Sequence, residues 1–202
     1  MEGCLCDVGA RRSGILNFAA MSRNIVLFIA ASADGFIAAP DGNIDFLNLA
    51  ELPGEDYGYA AFTASVDTVI LGRKTYEKVL SMGEAYPHEE KTVYVFSRKP
   101  RPANGHIHFV QETPTAFAQK LKAKSGKDIY CDGGAEIIAQ LLSAALIDRI
   151  ILTIIPVNLF EGILLFPNAQ VPESFVLHAA QTYPLGIVQR TYVLKNTDSV
   201  LL

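Results

Sequence analysis

The chain has 202 residues, half of them hydrophobic and 19% charged, which is enough for one domain with a sizeable core and argues against wholesale disorder. Its formal net charge of −4 argues against a nucleic-acid-binding surface, because such surfaces are rich in Lys and Arg. Three cysteines, Cys4, Cys6 and Cys131, provide no disulfide framework, so we expect a reduced, cytoplasmic setting.

The first 21 residues differ from the rest of the chain. They combine acidic and basic residues with an apolar stretch, 15–21, that is marginal for a secretory signal. We therefore expect residues 1–21 to form a tail or extended start and residues 22–202 to form a single domain. The strongest apolar run, Ile25 to Ala33, is too short for a membrane span, so we expect no membrane partner.

Strands and helices alternate along the domain. Asn24 to Ala31 is a continuous apolar run, typical of a strand that is buried on both faces. The segments that follow predict a helix over Tyr57–Ala64, a strand over Thr68–Leu71, a helix through Leu80, strands over Thr92–Phe96 and Ile107–Val110, and a helix over Pro114–Ala123.

Asp128 to Pro156 is the most informative stretch. It predicts a strand over Ile129–Cys131, a glycine turn at Gly133-Gly134, a helix over Ala135–Ser143 and a strand over Asp148–Ile155. The last two predicted strands, Ser174–Tyr183 and Ile187–Leu194, are joined by Pro184-Leu185-Gly186 as a hairpin. The pattern predicts an α/β fold, with a mostly parallel sheet, helices on both faces and an antiparallel hairpin at the edge.

Three predicted strand ends carry residues suited to an anion. Ligands of open α/β sheets bind beyond the carboxyl ends of the strands, and arginine can bond two phosphate oxygens at once. Each turn alone is more often an ordinary surface connection, but together they predict a pocket for a ligand with several phosphates. Neither a P-loop nor a GxGxxG pattern is present. The three turns are Gly72-Arg73-Lys74-Thr75, Ser97-Arg98-Lys99 and Asp132-Gly133-Gly134.

Two aspartates are candidates for supplying a proton. Asp34 precedes Gly35, and an Asp-Gly pair is more often a turn. Asp45 is flanked by Ile44 and Phe46, so apolar surroundings could raise the pKa of its carboxyl; the alternative, that Asp45 caps a helix, is equally consistent with the spacing.

The remaining chemistry-bearing residues indicate no metal site. His106 and His108 form a weak HxH pattern, which we interpret as a solvated strand edge. Cys131 lies beside the glycine turn, and we interpret it as a small packed side chain rather than a nucleophile.

Four segments in this order resemble the dihydrofolate reductase-like superfamily, and most closely bacterial proteins akin to the reductase domain of the riboflavin-biosynthesis deaminase-reductase. The resemblance covers about Ser22 to Lys195. The matching segments are Ala30–Ala38, Leu71–Glu77, Val95–Arg98, and Gly133-Gly134 with Leu141-Leu142 and Leu146–Asp148.

The resemblance implies a three-layer dihydrofolate reductase-like fold and a reductase that uses NADPH. By position, Ala30 and Ile37 would line the nicotinamide site. Phosphate contacts are implied for Gly72, Arg73 and Thr75, contacts to the adenosine ribose and its 2′-phosphate for Ser97 and Arg98, and diphosphate contacts for Gly133, Gly134 and Ala135, with a cis peptide joining the glycine pair.

The chain also departs from its relatives. It has no tryptophan, Ile138 replaces the usual aromatic after the glycine pair, and Phe36 replaces the lysine of riboflavin-type enzymes. These departures argue against folate reduction and weaken the case for a ribosylaminopyrimidine substrate.

We therefore expect an NADPH-dependent reductase of a small pterin- or pyrimidine-like heterocycle, with Asp45 as the catalytic residue. The alternatives are 5-amino-6-(5-phosphoribosylamino)uracil reductase of riboflavin biosynthesis, and a nucleotide-binding protein without turnover. Since relatives are often dimers, we expect a homodimer that uses the C-terminal hairpin.

Overall fold

The structure, a computed structural model, describes residues 23–83 and 86–195, so the expected tail lies outside the described residues. The helices are α1 (Tyr59–Ala64), α2 (Arg73–Ser81), α3 (Pro114–Lys122) and α4 (Ala135–Ser143), with 3-10 helices over Asp45–Ala50, Pro167–Ala169 and Pro184–Gly186. None of the helices described is long and apolar enough to cross a bilayer.

The described strands are β1 (Ile25–Ser32), β2 (Phe36–Ala38), β3 (Val66–Gly72), β4 (Thr92–Phe96), β5 (Ile107–Val110), β6 (Asp128–Gly133), β7 (Arg149–Ile155), β8 (Ile163–Leu164), β9 (Phe175–Thr182) and β10 (Val188–Leu194). Their positions confirm the predicted elements, with boundaries that differ by one or two residues, the usual uncertainty of such assignments.

Eight of these strands form one sheet in the order β5-β4-β3-β6-β1-β7-β10-β9. The first six strands of this order are parallel to one another, whereas β10 is antiparallel to both β7 and β9. Strands β2 and β8 form a separate antiparallel pair. The predicted fold class, a mostly parallel sheet with helices and a C-terminal antiparallel hairpin, is confirmed.

The sheet has an apolar core on each face, which explains why β1 reads as an uninterrupted apolar run. Ile25 and Leu27 belong to a core cluster that includes side chains of α3 and α4. Val26 and Phe28 pack in a second cluster with Phe62 of α1 and Tyr76 of α2. Because successive side chains point to opposite faces, a strand with helices on both sides must be apolar at every position.

The register of the central strands decides which loops are neighbours. Gly72, at the end of β3, pairs with Phe96 at the end of β4. Leu71 pairs with Gly133 at the end of β6. The carboxyl ends of three adjacent parallel strands therefore lie side by side, which is where open α/β sheets bind ligands.

Candidate functional site

The three predicted turns lie together at this edge, which we call the glycine edge and define by residues 72–75, 97–98 and 132–135. A Cβ built on Gly134 would lie 3.1 Å from the Thr75 hydroxyl oxygen, and one built on Gly72 would lie 3.2 Å from Ile137 of α4. The first and third turns thus approach each other within van der Waals contact, and glycine is what allows the approach.

Gly133 and Gly134 are joined by a cis peptide bond, as the resemblance implied. Gly133 has φ +90°, a conformation that L side chains rarely adopt. Gly134 is the N-cap residue of α4 and Gly72 that of α2, and neither helix start receives a side-chain cap hydrogen bond. The first backbone N–H groups of both helices are therefore available to an anion at the glycine edge.

The cations of the glycine edge are partly held by one acidic residue. Arg73 forms an ion pair with Glu77, and Arg101 reaches the same carboxylate at 2.9 Å. Hydrogen bonding from Arg73 is the main cause that lowers the pKa of Glu77. Arg98 is exposed at the end of β4, and Gln111 Nε2 donates to its backbone oxygen at 3.5 Å.

Ser97 shapes the turn that carries Arg98. Its hydroxyl donates to the Lys99 carbonyl at 2.8 Å and accepts from the Lys99 N–H at 3.4 Å. The residue is buried, and its N–H donates to Val110 of β5. With glycine backbone, two open helix starts and several cations, the glycine edge has the donor set that suits a ligand with several phosphates.

Ala30 and Ile37, the predicted nicotinamide contacts, lie in different surroundings. Ile37 packs against the core cluster that contains α3 and α4. Ala30 instead lines a cavity of about 340 Å³, which we call the aromatic cavity; its other lining residues are Phe28, Leu47, Ala50, Asp56, Tyr57, Tyr59, Thr153 and Ile155. A more open hollow of about 410 Å³ next to α4 contains none of the predicted site residues.

Hydrogen bonds fix the wall of the aromatic cavity. The Tyr57 hydroxyl donates to the Ala50 carbonyl at 2.6 Å. Gln189 Nε2, from β10, donates to both the Tyr57 carbonyl and the Thr153 hydroxyl at 3.0 Å. Both contacts of Gln189 join segments distant in sequence, so the cavity has a defined shape.

Next to this cavity lies a cluster of polar side chains that the sequence did not predict. The Asp132 carboxylate accepts hydrogen bonds from the hydroxyls of Tyr86 at 2.6 Å and Tyr130 at 2.8 Å. The Tyr59 hydroxyl lies 3.0 Å from His88 Nε2. The Tyr130 ring lies near both Tyr59 and His88. We call these five residues the tyrosine cluster.

Burial governs the proton affinities of the tyrosine cluster. It raises the pKa of Asp132, although hydrogen bonds from Tyr86 and Tyr130 oppose the shift. Burial, with the charge of Asp132, raises the pKa of Tyr59 to about 12. Burial and the nearby Lys91 lower the pKa of His88. The imidazole is therefore neutral at pH 7, and the Tyr59 hydroxyl keeps its proton.

Only one member of the cluster had a signal in the sequence. Asp132 precedes the glycine pair, whereas Tyr86 and His88 lie in a stretch with no periodicity, and Tyr59 reads as part of an ordinary helix. Tyr130 and Asp132 share one face of β6 because they are two residues apart on that strand, but only tertiary packing brings Tyr59, Tyr86 and His88 to them.

Asp34 has the turn role that the sequence favoured. It accepts hydrogen bonds from the Ser32 hydroxyl at 2.6 Å and from the backbone N–H groups of Leu159 and Phe160 at 3.1 and 2.7 Å. Burial raises the pKa of Asp34, but these hydrogen bonds outweigh it and lower the pKa overall. The ionised carboxylate thus fastens the loop after β7 to the loop after β1.

Asp45 does not have the expected apolar surroundings. It is exposed and exchanges hydrogen bonds with Asn43, whose Nδ2 donates to Asp45 Oδ2 at 2.8 Å. The alternative, a cap, is also incorrect in detail, because Ile44 is the N-cap and Asp45 is the first residue of the 3-10 helix. That helix carries Leu47 and Ala50 into the wall of the aromatic cavity.

Cys131 and the histidine pair have structural surroundings. Cys131 is fully buried, and burial raises the pKa of its thiol to about 12, which fits a packed side chain. His108 is exposed on β5 as expected, whereas the buried Nε2 of His106 has no hydrogen-bond partner among the described residues. Residues 23–83 and 86–195 contain no group of three side chains placed to hold a metal ion.

Comparison with known proteins identifies relatives along most of the chain. A family model described as the RibD C-terminal domain matches residues 23–188. The uncharacterised protein YwjB of Bacillus subtilis (strain 168) is 45% identical over 148 residues, which cover 72% of this chain and 84% of that protein. YyaP of the same strain, also uncharacterised, is 30% identical over 184 residues, covering 84% and 94%.

Solved structures share the fold. A Shewanella sp. PV-4 protein, named only provisionally as a riboflavin biosynthesis protein, superimposes with a TM-score of 0.76 and 30% identity over 86% of this chain and 99% of its own. The bifunctional deaminase and 5-amino-6-(5-phosphoribosylamino)uracil reductase of Thermotoga maritima gives a TM-score of 0.63 at 14% identity. This chain covers 57% of that larger protein, and the likeness concerns the fold alone.

Proposed function

The chain belongs to the RibD C-terminal domain family, as the sequence resemblance predicted, and on this basis we propose that it is an NADPH-dependent reductase of a small planar heterocycle. When bound, NADPH supplies a hydride. The observation that carries the proposal is the adjacency of the glycine edge, which suits a dinucleotide phosphate chain, to strand β1, whose Ala30 opens into the aromatic cavity.

The cofactor would be held by backbone more than by side chains. The N–H groups at the starts of α2 and α4 would bind phosphate, with Gly72, Gly134 and Ala135 permitting close approach. Arg73 and Thr75 would add side-chain donors to the phosphates. Ser97 would hold the turn from which Arg98 reaches the 2′-phosphate, a role that suits an exposed guanidinium.

The acceptor would occupy the aromatic cavity. Its wall is built mainly from aromatic and aliphatic side chains with the single carboxylate of Asp56, which favours a flat, uncharged ring over a phosphorylated one. Asp45 begins the 3-10 helix that forms part of this wall. We propose that it orients the acceptor, directly or through water, at the mouth of the cavity.

The test measures NADPH oxidation by its change in absorbance, with a panel of pterins, pyrimidines and quinones as candidate acceptors. NADPH binding is measured separately by calorimetry. Oxidation dependent on one class of acceptor is expected. Tight NADPH binding without oxidation by any acceptor would favour the alternative of a nucleotide-binding protein without turnover. Absence of NADPH binding would overturn the proposal altogether.

A second candidate is the riboflavin-pathway reductase, because the chain belongs to the RibD C-terminal domain family and a structural relative at 30% identity carries a riboflavin-biosynthesis name. Its substrate bears a phosphate, so the pair of 5-amino-6-(5-phosphoribosylamino)uracil and its dephosphorylated form discriminates. Preference for the phosphorylated compound by a factor of ten or more, about 1.4 kcal/mol, would establish this candidate over the first.

We further propose that the protein is a homodimer through β9. All residues of this edge strand after Phe175 are exposed, including Val176 and Leu177, and an uncharged edge is a template for pairing with another chain. Light scattering should give twice the chain mass, and Leu177→Lys should reduce it. A monomeric mass for the unaltered protein would exclude the dimer.

A further inference from the structure

The aromatic cavity and the tyrosine cluster share one residue. Tyr59 lines the cavity, and its hydroxyl lies 3.0 Å from His88 Nε2. The cluster is larger than packing requires, since it places a carboxylate, three tyrosine hydroxyls and an imidazole within the apolar face of a sheet. Buried polar groups are costly unless they are satisfied, and the proposed hydride transfer by itself gives this arrangement no role.

We infer that Tyr59 is the residue that delivers the proton to the acceptor, and that His88 behind it returns the proton from solvent. The inference rests on the proposed reductase function and adds a catalytic residue to it. Asp45 is exposed, is hydrogen-bonded to Asn43 and is not among the residues that line the aromatic cavity, whereas Tyr59 is one of them.

The proton balance follows from the chemistry of the reduced bond. Reduction adds a hydride from NADPH to the carbon of a C=N or C=O bond, and the π electron pair moves to the nitrogen or oxygen. That atom takes the proton from Tyr59 Oη, leaving a phenolate. His88 Nε2–H then reprotonates the phenolate, while His88 Nδ1 takes a proton from a water molecule and leaves hydroxide. Exchange of the ring protons with water restores the Nε2–H tautomer. One hydride and one proton are consumed in total.

The surroundings of His88 support a relay rather than a packing role. The imidazole ring lies 6.1 to 6.2 Å, centroid to centroid, from the rings of Tyr59, Tyr86 and Tyr130. Besides these three titratable tyrosines, Lys91, Glu90 and His106 act on the imidazole through their charges. His88 also remains partly exposed, so one side of the ring is open to exchange with water.

The rest of the cluster holds this pair in place. Tyr130 donates to Asp132 at 2.8 Å and lies 3.3 Å from the Phe28 carbonyl, so it connects β6 to β1 beneath Tyr59. Tyr86, two residues before His88, is anchored to the same carboxylate at 2.6 Å. Asp132 thus acts as a positioning residue, since its contacts reach the acceptor only through the tyrosines.

The first test compares Tyr59→Phe with Tyr94→Phe in steady-state turnover of the panel acceptor that the unaltered protein reduces fastest. Tyr94 lies on β4 against α3, on the other face of the sheet, and its variant should leave turnover unchanged. Tyr59→Phe should lower kcat by about 10²- to 10⁴-fold, the usual range for a general acid, while KM rises by no more than about tenfold, the value of one neutral hydrogen bond. A change in KM alone would overturn the role in proton delivery.

A second measurement needs no turnover. With ring-labelled tyrosine and NADP⁺ present, addition of 5-aminouracil should shift the Tyr59 resonances, and Tyr59→Phe should weaken binding about three- to tenfold, the value of one neutral hydrogen bond. If 5-aminouracil and the other panel compounds leave Tyr59 unshifted while NADP⁺ binds normally, the cavity assignment fails and the cofactor assignment stands.

His88→Gly isolates the relay. His88 has φ +73°, a conformation that glycine adopts freely, so the variant should keep its backbone while opening an imidazole-sized space. We expect kcat to fall about tenfold or more and to recover with added imidazole, but not with an equal concentration of pyrrole, which has no basic nitrogen. A loss of kcat that imidazole does not restore would remove His88 from the relay.

Discussion

The glycine edge and the aromatic cavity involve neighbouring strands of the same sheet, β6 and β1, yet they are built differently. The glycine edge consists of short contiguous segments, each at the end of one strand, and it uses backbone N–H groups and flexible cations. The aromatic cavity is lined by individual side chains from β1, a 3-10 helix, α1 and β7, and hydrogen bonds such as the one from Gln189 to the Tyr57 carbonyl hold its wall in place.

The difference shows how the two halves of a site can change independently. The phosphate groups of NADPH are the same whichever protein binds it, so a short backbone motif suffices to bind them. Acceptors differ in shape and in the position of their polar groups, so their pocket depends on individual side chains. Substitutions should therefore separate cofactor binding from acceptor binding. Three variants test this separation, and a fourth tests the buried carboxylate beside the cavity.

Gly134→Val should have the largest effect of these variants, and the effect should be on cofactor binding alone. A Cβ at this position already lies 3.1 Å from the Thr75 hydroxyl oxygen, and a branched side chain would occupy the approach to α4. We expect NADPH affinity to fall about 100-fold, or about 2.7 kcal/mol, in calorimetry. Ala103→Val is the control, since Ala103 is exposed and lies outside the glycine edge; equal losses in both variants would contradict the assignment.

Leu47→Trp should produce the reverse pattern. Leu47 lines the aromatic cavity from the 3-10 helix, so a larger ring would fill the space proposed for the acceptor. We expect the acceptor KM to rise about tenfold or more while the NADPH dissociation constant stays within about twofold. Loss of both affinities together would mean that the cavity and the glycine edge do not act separately.

Arg98→Ala should weaken the binding of only one part of the cofactor, the 2′-phosphate. A charge-assisted hydrogen bond to the 2′-phosphate contributes about 1.5–3 kcal/mol, so NADPH affinity should fall about tenfold or more and NADH affinity should not change. Arg190→Ala, which removes an exposed arginine from β10, is the matched control. Equal losses for NADPH and NADH would remove Arg98 from this role.

Asp132→Asn should have the smallest effect, seen in stability against pH. Burial raises the pKa of Asp132 in the folded protein, so the folded state loses stability as pH rises above the unfolded pKa of about 3.9, and the loss is complete above the folded pKa. The variant lacks this loss. The free energy of unfolding of the variant should therefore rise relative to that of the unaltered protein as pH rises from 4 to 8. The rise should be about 1.4 kcal/mol for each tenfold difference in proton affinity between the folded and unfolded states.

Urea unfolding at each pH measures this difference, and Asp56→Asn provides a control of opposite sign. Hydrogen bonds from the Ala60 and Gly58 N–H groups lower the pKa of Asp56. Its variant should therefore lose stability relative to the unaltered protein as pH rises toward and through the unfolded pKa of about 3.9, so the series for this control extends below pH 4. A difference for Asp132→Asn that is constant across pH would show that the Asp132 carboxyl does not titrate with folding.

Much of this protein was readable from the sequence. The order of strands and helices along the chain, the fold class and the membership of the family followed from apolar runs and from four short segments. The glycine edge was readable because each of its turns is local. Residues 72–75 combine a glycine, two cations and a helix start, residues 97–99 a hydroxyl and two cations, and residues 132–135 a glycine pair and a helix start. The rule that parallel strands end at one edge brings the three turns together.

The aromatic cavity and the tyrosine cluster were not readable in this way. Tyr59, His88 and Asp132 lie on separate elements with no spacing rule between them, and the apolar neighbours of Asp45 in the sequence predicted surroundings that the exposed residue does not have. Neighbours along the chain fix what a short turn can do, because backbone geometry is local. Which side chains share a cavity, and which are buried enough to hold a proton, depends on how the helices pack against the sheet, and only the tertiary structure decides that.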